Sequence, residues 1–382
     1  MARTAFPTRI SILPGARGRT ALFVSAATLA IALSSTAARA QCAGEGAQVV
    51  CTGTSAPFVM AVAGGTVTVQ PGATVGSQTT EGPGLRFDVG GKLIVEGGVF
   101  SQGPAVLLAD AVGLEMKIGR SGTLSGGNAL RQGDDDGDFI ALDNSGLVRG
   151  TDGTAVRARS AALDMRNRGT GRIEGGVDVN EIQGTNAGTI EAGEVSAIRA
   201  RYLDIDNSGA IANNSAAEAT IAVAQGVIRN QGLIESRGAA PAISAADLEL
   251  RNRAGGVIRG AGDTAIRVTE QAVIENAGQI DGGVALGQYG DRFYQRIGGS
   301  VAGNIAMGDG DDQFWREGNA TGVAGMPSGT LDGGDGIDIY GIRMTGSGTV
   351  AFGSLPTGFE RYGLDLTGCN LDVTIAPENL TG

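Results

Sequence analysis

Histidine is absent from all 382 residues. That excludes Ser-His-Asp and Cys-His catalysis. With only three cysteines and no C-x-x-C pair, it also argues against a zinc site. Aromatic residues make up 4% of the chain, less than a compact α/β enzyme of this length carries in its core. Basic residues are outnumbered, and the formal net charge is −11, which makes nucleic acid and anionic membrane surfaces poor partners. The apolar run Ala21–Leu33 is too short to span a bilayer, and no other stretch is apolar enough to cross as a helix.

That run belongs to an N-terminal leader. Four arginines precede or flank it, and Ala38-Arg39-Ala40 is an A-x-A cleavage site, so residues 1–40 read as a signal peptide. Cleavage removes Arg3, Arg9, Arg17, Arg19 and Arg39 and no acid, which moves the net charge to about −16. Export permits disulfides. Cys42 and Cys51 are placed to close a small loop at the mature N-terminus, and Cys369 is left over as a free thiol or an intermolecular partner.

What is abundant is glycine, 66 residues without a G-X-Y period, beside 42% hydrophobic residues. Short apolar strands joined by tight turns satisfy both numbers. An Asn-x-Gly unit recurs at Asn144, Asn186, Asn207, Asn230 and Asn276, with variants at Asn167 and Asn252, at a mean step of 22 residues. A period in this range marks a solenoid. Each unit holds an early alternating strand, an apolar residue two before the Asn, a charged residue just before it, and an apolar residue after the turn. One such unit cannot bury a core, but a stack of them can.

The sequence therefore predicts an all-β chain, a right-handed parallel β-helix of about twelve coils with three short strands each. The first inward row runs through Leu85, Val106, Leu130, Val156, Val177, Ile198, Ile221, Ile243, Ile266, Val284, Ile305 and Leu331. Asn side chains would stack coil on coil, in a left-handed turn conformation that Asn tolerates. The following Gly would let the chain bend. Residues 41–84 read as a cap with the first irregular coils, 85–366 as the β-helix, and 367–382 as an atypical tail. Arg157, Arg199 and Arg267 are expected on one outward stripe. Phe293, Tyr294, Phe314 and Trp315 are expected to plug a tapering core.

Two segments suggest cation chemistry. GDDDGDF at 133–139 lacks EF-hand spacing and reads as a solvated acidic loop around Asp134, Asp135, Asp136 and Asp138. GGDGIDIYG at 333–341 matches the nonapeptide of calcium-binding β-rolls, and MGDGDDQFW at 307–315 matches all but its first glycine. Asp309, Asp311, Asp312, Asp335 and Asp338 are thus the candidate calcium ligands. The alternative for them is plain β-helix turns, since the steps are not nine residues. LGQYGDRFY at 286–294 is a fainter echo.

The leader, the N-S-G-x-I coils and the ending GDGDDQFW…GTLDGGDGIDIYG…LPTGFERYGL resemble the passenger region of bacterial autotransporters, of the pertactin-like or AIDA-like adhesin class, over roughly 42–366. The resemblance implies a non-enzymatic rod that works in adhesion, autoaggregation or biofilm formation. It would be displayed outside a Gram-negative cell by an outer-membrane β-barrel translocator, and it would meet a surface protein or a glycan. No barrel strands precede Gly382, so the barrel is expected in a continuation of the gene or in a separate translocator; without one, the chain would be periplasmic or secreted. Two other readings stay open: an RTX-like calcium-binding secreted protein, and a polysaccharide-active β-helix enzyme using paired carboxylates.

Overall fold

A computed structural model of the chain describes residues 41–44, 46–109, 113–133, 139–346, 348–350, 356–366 and 373–375. The leader 1–40, the acidic loop around Asp134–Asp138 and Cys369 lie outside the described residues.

Alternation of apolar and polar residues turns one side of each strand inward, and equivalent strands then pair in parallel from coil to coil. Among the described residues there is no helix, and the architecture is a right-handed parallel β-helix. The row Phe58–Leu85–Val106–Leu130–Val156–Val177–Ile198–Ile221–Ile243–Ile266–Val284–Ile305–Leu331 is paired residue for residue without a break. It gives thirteen coils rather than twelve, about 60 Å of rod at ~4.8 Å per coil. The extra coil is gained at the N-terminus. Parallel pairing already links Gln48–Cys51 to Gly65–Val69 and Phe58–Met60 to Leu85–Phe87, so the stack begins before Leu85. At that end Cys42–Ala43 folds back antiparallel on Gln48–Cys51, and a disulfide joins Cys42 to Cys51.

Two further inward rows complete the core. One runs Leu142–Met165–Gly184–Ile205–Ile228–Leu250–Ile274–Phe293–Phe314–Tyr340, the other Val148–Ile173–Ile190–Ile211–Ile234–Ile258–Ile280–Val301. Apart from Gly184, whose backbone carries no side chain to bury, these residues are essentially inaccessible to water. The first two of a coil's three strands merge through a corner into single runs such as Ile198–Asn207 and Ile221–Asn230. The inward residues of Ile198–Asn207 are Ile198, Ala200, Leu203, Ile205 and Asn207. The three-residue gap after Ala200 is where the chain turns between faces.

The seven Asn residues form one buried ladder. Each Nδ2 donates to the Oδ1 of the next, at 2.8 Å for Asn144–Asn167, 2.7 Å for Asn167–Asn186 and 2.8 to 2.9 Å onward to Asn276. Asn276 ends it on Gln295 Oε1 at 3.2 Å. Two expectations about these turns need correcting. No non-glycine residue among those described has a positive φ, so Asn serves as an extended strand end whose amide is the linker. The glycine two residues later is needed for closeness: a Cβ on Gly209 would fall 2.0 Å from the Gly188 carbonyl oxygen of the coil below. The arginine stripe is also interrupted. In its row Asp178 separates Arg157 from Arg199, and Ala222 and Ser244 separate Arg199 from Arg267.

Asn207→Ala removes an acceptor from Asn186 and a donor from Asn230 inside the core. We expect a loss of about 1–3 kcal/mol in urea unfolding. The outward neighbour change Asp206→Ala should stay within about 0.5 kcal/mol. Equal effects of the two would remove the ladder's structural role.

Candidate functional site

The sheet that ends in the Asn ladder also carries the surface relief. Five clefts open along it, and each shares walls with the next. The first lies at Glu115, Asp143 and Arg166, the second at Arg166, Gln183 and Asp204, and the central one, about 570 Å³, spans Glu181 to Val273. The fourth lies at Glu249, Val273 and Tyr294, and the last at Tyr294, Trp315 and Arg343. Neighbouring clefts share lining residues, so the relief forms a shallow groove parallel to the rod axis over eleven coils, or about 48 Å at ~4.8 Å per step, narrowing to about 110 and about 10 Å³ at its last two clefts.

Strand alternation decides what lines it. In the central cleft the corner row is Glu181–Tyr202–Gln225–Asp247 and the next outward row is Gln183–Asp204–Val227–Glu249–Val273. Most of the charges are already engaged: Arg229 with Asp204 at 2.5 Å, Arg251 with Glu249 at 3.0 Å, Arg296 with Glu275 at 2.8 Å. Gln225 Nε2 donates to Asp247 Oδ2 at 3.1 Å. Arg168 lies beside Asp143 and holds its carboxyl below the ordinary range, chiefly through their hydrogen bonds.

The aromatic cluster divides by the same alternation. Phe293 and Phe314 point inward and are wholly buried, stacked 5.3 Å apart with Tyr340 next at 6.1 Å. Tyr294 and Trp315 point outward and are half-buried, which corrects the expectation that all four plug the core. The Trp315 ring lies along Gly341 and Gly363, where an added Cβ would come within 2.4 and 2.9 Å of it. The Arg343 guanidinium sits 5.2 Å from the Tyr294 ring centre and 5.6 Å from that of Trp315, and pairs with Asp365 at 2.7 Å. Sequence patterning missed this shelf, although the F-Y and F-W doublets in equivalent positions carried the signal that one ring of each pair must face out.

The five candidate calcium ligands fall into two sets. Asp309, Asp311 and Asp335 are exposed on the turn exterior, where Asp309 and Asp335 bridge through backbone and Asp311 Oδ1 accepts the Ile337 N–H at 3.0 Å. Asp312 and Asp338 are fully buried. Among the described residues no group of three acidic side chains is gathered on one point.

The buried pair belongs to a ladder that the sequence motifs flagged only as Gly-Asp turns. Asp338 Oδ1 accepts the backbone N–H of Asp312 at 2.8 Å, Asp312 Oδ1 accepts that of Asp291 at 2.6 Å, and Asp291 accepts those of Ala272 and Gly287. Glu360 Oε2 takes the Asp338 N–H at 2.8 Å. Asp312 Oδ2 and Asp338 Oδ2 have no hydrogen-bond partner and no access to water. Burial outweighs the accepted N–H bonds, raising Asp291 to about 6, Asp312 to about 7, and Asp338 upward as well.

Comparisons with protein-family models, with characterised proteins and with solved structures found no match. The fold and this site therefore define the class on their own terms: a parallel β-solenoid with one grooved face.

These carboxyls make the fold's stability depend on pH in a range where the chain has no histidine to titrate. A folded pKa above the unfolded value of 3.8 means the native state holds protons the unfolded chain releases. The contribution is full below about pH 4 and is lost as pH rises through about 6 to about 7. The melting temperature should fall between pH 5 and pH 8, and Asp312→Asn should flatten the slope. A flat wild-type profile would contradict the ladder's protonation.

Proposed function

We propose that the chain is an exported, non-enzymatic β-helical rod of autotransporter-passenger type that acts by surface contact, in adhesion, autoaggregation or biofilm formation. The supporting observation is the groove, a shallow relief repeated over eleven coils of one face. Many weak contacts along a rigid surface add up by avidity without any deep pocket. The leader, read from sequence, supplies export, and an outer-membrane barrel supplies display.

Beads coated with the purified chain should clump with one another or settle on bacterial or host-cell surfaces above albumin-coated controls. Coated beads that behave like the controls in both assays would defeat the contact reading. Release of reducing ends or unsaturated sugars from a panel of acidic glycans would establish the enzymatic one.

One observation favours a second reading, calcium binding at the C-terminal turns: the free lone pairs on buried Asp312 Oδ2 and Asp338 Oδ2. Calcium would supply positive charge to two carboxylates that otherwise need protons. If this holds, millimolar Ca²⁺ at pH 8 raises the melting temperature followed by circular dichroism, and Asp338→Asn removes the rise. No change at millimolar Ca²⁺ sinks it.

A further inference from the structure

Resting on the contact-surface reading, we propose that the groove from Glu115 to Arg343 binds a linear, uncharged polysaccharide, anchored at its C-terminal end by Trp315 and Tyr294. Four observations converge on that ligand class.

The first is shape. Shallow clefts lined up over eleven coils, widest at the centre and flattening to a surface at the aromatic end, fit an extended polymer better than a compact small molecule. The second is hydrogen-bonding character. Gln183, Gln225 and Gln271 recur along the central cleft beside carboxylates, so donors and acceptors alternate at coil spacing, as a row of sugar hydroxyls requires.

The third is charge. No lysine or arginine lines the central cleft, so a polyanion meets repulsion there. Nor is the cleft free for a polycation. Asp204 and Glu249 are held by arginines and Asp247 by Gln225, which leaves Glu181 as the one lining carboxylate without such a partner among the described residues. At the anchor, Arg251, Arg296 and Arg343 pair with Glu249, Glu275 and Asp365, and Arg316 is turned inward onto the Ala324 carbonyl and the Tyr340 hydroxyl, so the outward guanidiniums at this end are balanced by acids.

The fourth is the shelf itself. Trp315 is laid flat by Gly341 and Gly363, and its Nε1–H is fixed on Gln313 Oε1 at 3.2 Å. Tyr294 stands one coil away in register. Flat rings beside guanidinium and amide groups offer both halves of pyranose recognition: an apolar surface for ring C–H groups and donors for the hydroxyls at its edge. The Trp315 ring, held on its glycine bed, loses little freedom on binding.

Trp315 is the only tryptophan in the sequence, so its emission reports on the anchor directly. The purified chain is titrated with cellohexaose, maltohexaose and linear mannohexaose, and in parallel with polygalacturonate and poly-lysine. We expect at least one neutral hexasaccharide to give a saturable emission shift, insensitive to 0.5 M salt, and neither polyion to do so at physiological salt. By calorimetry, Tyr294→Ala should weaken that binding at least tenfold, and Gln225→Ala, remote from the anchor, should weaken it severalfold in a protein of unchanged circular dichroism. The proposal is overturned if no neutral sugar binds, if a polyion binds instead, or if both variants bind as the parent does. Coated beads that still clump or adhere while no sugar binds would leave the contact reading standing and remove only the glycan.

Discussion

Everything in this molecule follows from the demand that each coil present to its neighbour what the neighbour presents to the next. A coil of about 22 residues has too little interior to fold alone. Its stability comes from in-register stacking, in which isoleucine covers isoleucine and strand N–H groups find carbonyls one coil away. The Asn ladder makes that demand strict. Each amide spends its donor on one side and its acceptor on the other, so a coil shifted by one residue leaves two buried amide groups unsatisfied. Slippage is the natural failure of a repetitive apolar stack, and the ladder opposes it at the point where strand passes into turn.

That constraint also explains why the sequence revealed the architecture and concealed the face. Periodicity is a property of inward positions, so Ile198, Ile221 and Ile243 could be aligned by eye and were indeed stacked. The row could be extended too: Phe58 was missed because its segment, interrupted by short turns, lacks the Asn unit. Outward positions have no period to follow. The groove comes from the corner after Ala200, where a three-residue gap replaces a two-residue one, and a gap says that the chain turns without saying that clefts result. Tyr294 and Trp315 were placed in the core because aromatic mass near an end suggests a plug; strand parity, which sends alternate residues to opposite faces, overrides that.

The turn chemistry was misjudged for a related reason. An Asn followed by Gly suggests a left-handed turn, and in a hairpin it would be one. In a stack the neighbouring coil is closer than any hairpin partner, and both residues answer to it: Asn by reaching across, Gly by getting out of the way. The G-D turns near the C-terminus were read for metal because glycine and aspartate alternate. Two of those aspartates also reach to the adjacent coil, as the asparagines do upstream, but toward backbone N–H groups.

The character of the rod changes toward its C-terminal end. From Asn144 to Asn276 the ladder is neutral and both its donors and acceptors are used. Beyond Asn276 that row passes to Gln295, Arg316 and Ile342, while a separate row that follows Leu248 and Ala272 stacks carboxyls from Asp291 to Glu360, each with at least one oxygen on a backbone N–H, and Asp312 and Asp338 keep a second oxygen with no partner. The inward row changes with it, from aliphatic at Ile274 to aromatic at Phe293, Phe314 and Tyr340. Buried carboxyls beside these rings are held toward their protonated forms, so this end adds to the amide ladder a second polar row that responds to its surroundings. The outward aromatic shelf stands on these same coils. In a stack where each coil packs mainly on its neighbours, whatever loosens the carboxyl row reaches Tyr294 and Trp315, because they stand on the same coils as Asp291 and Asp312.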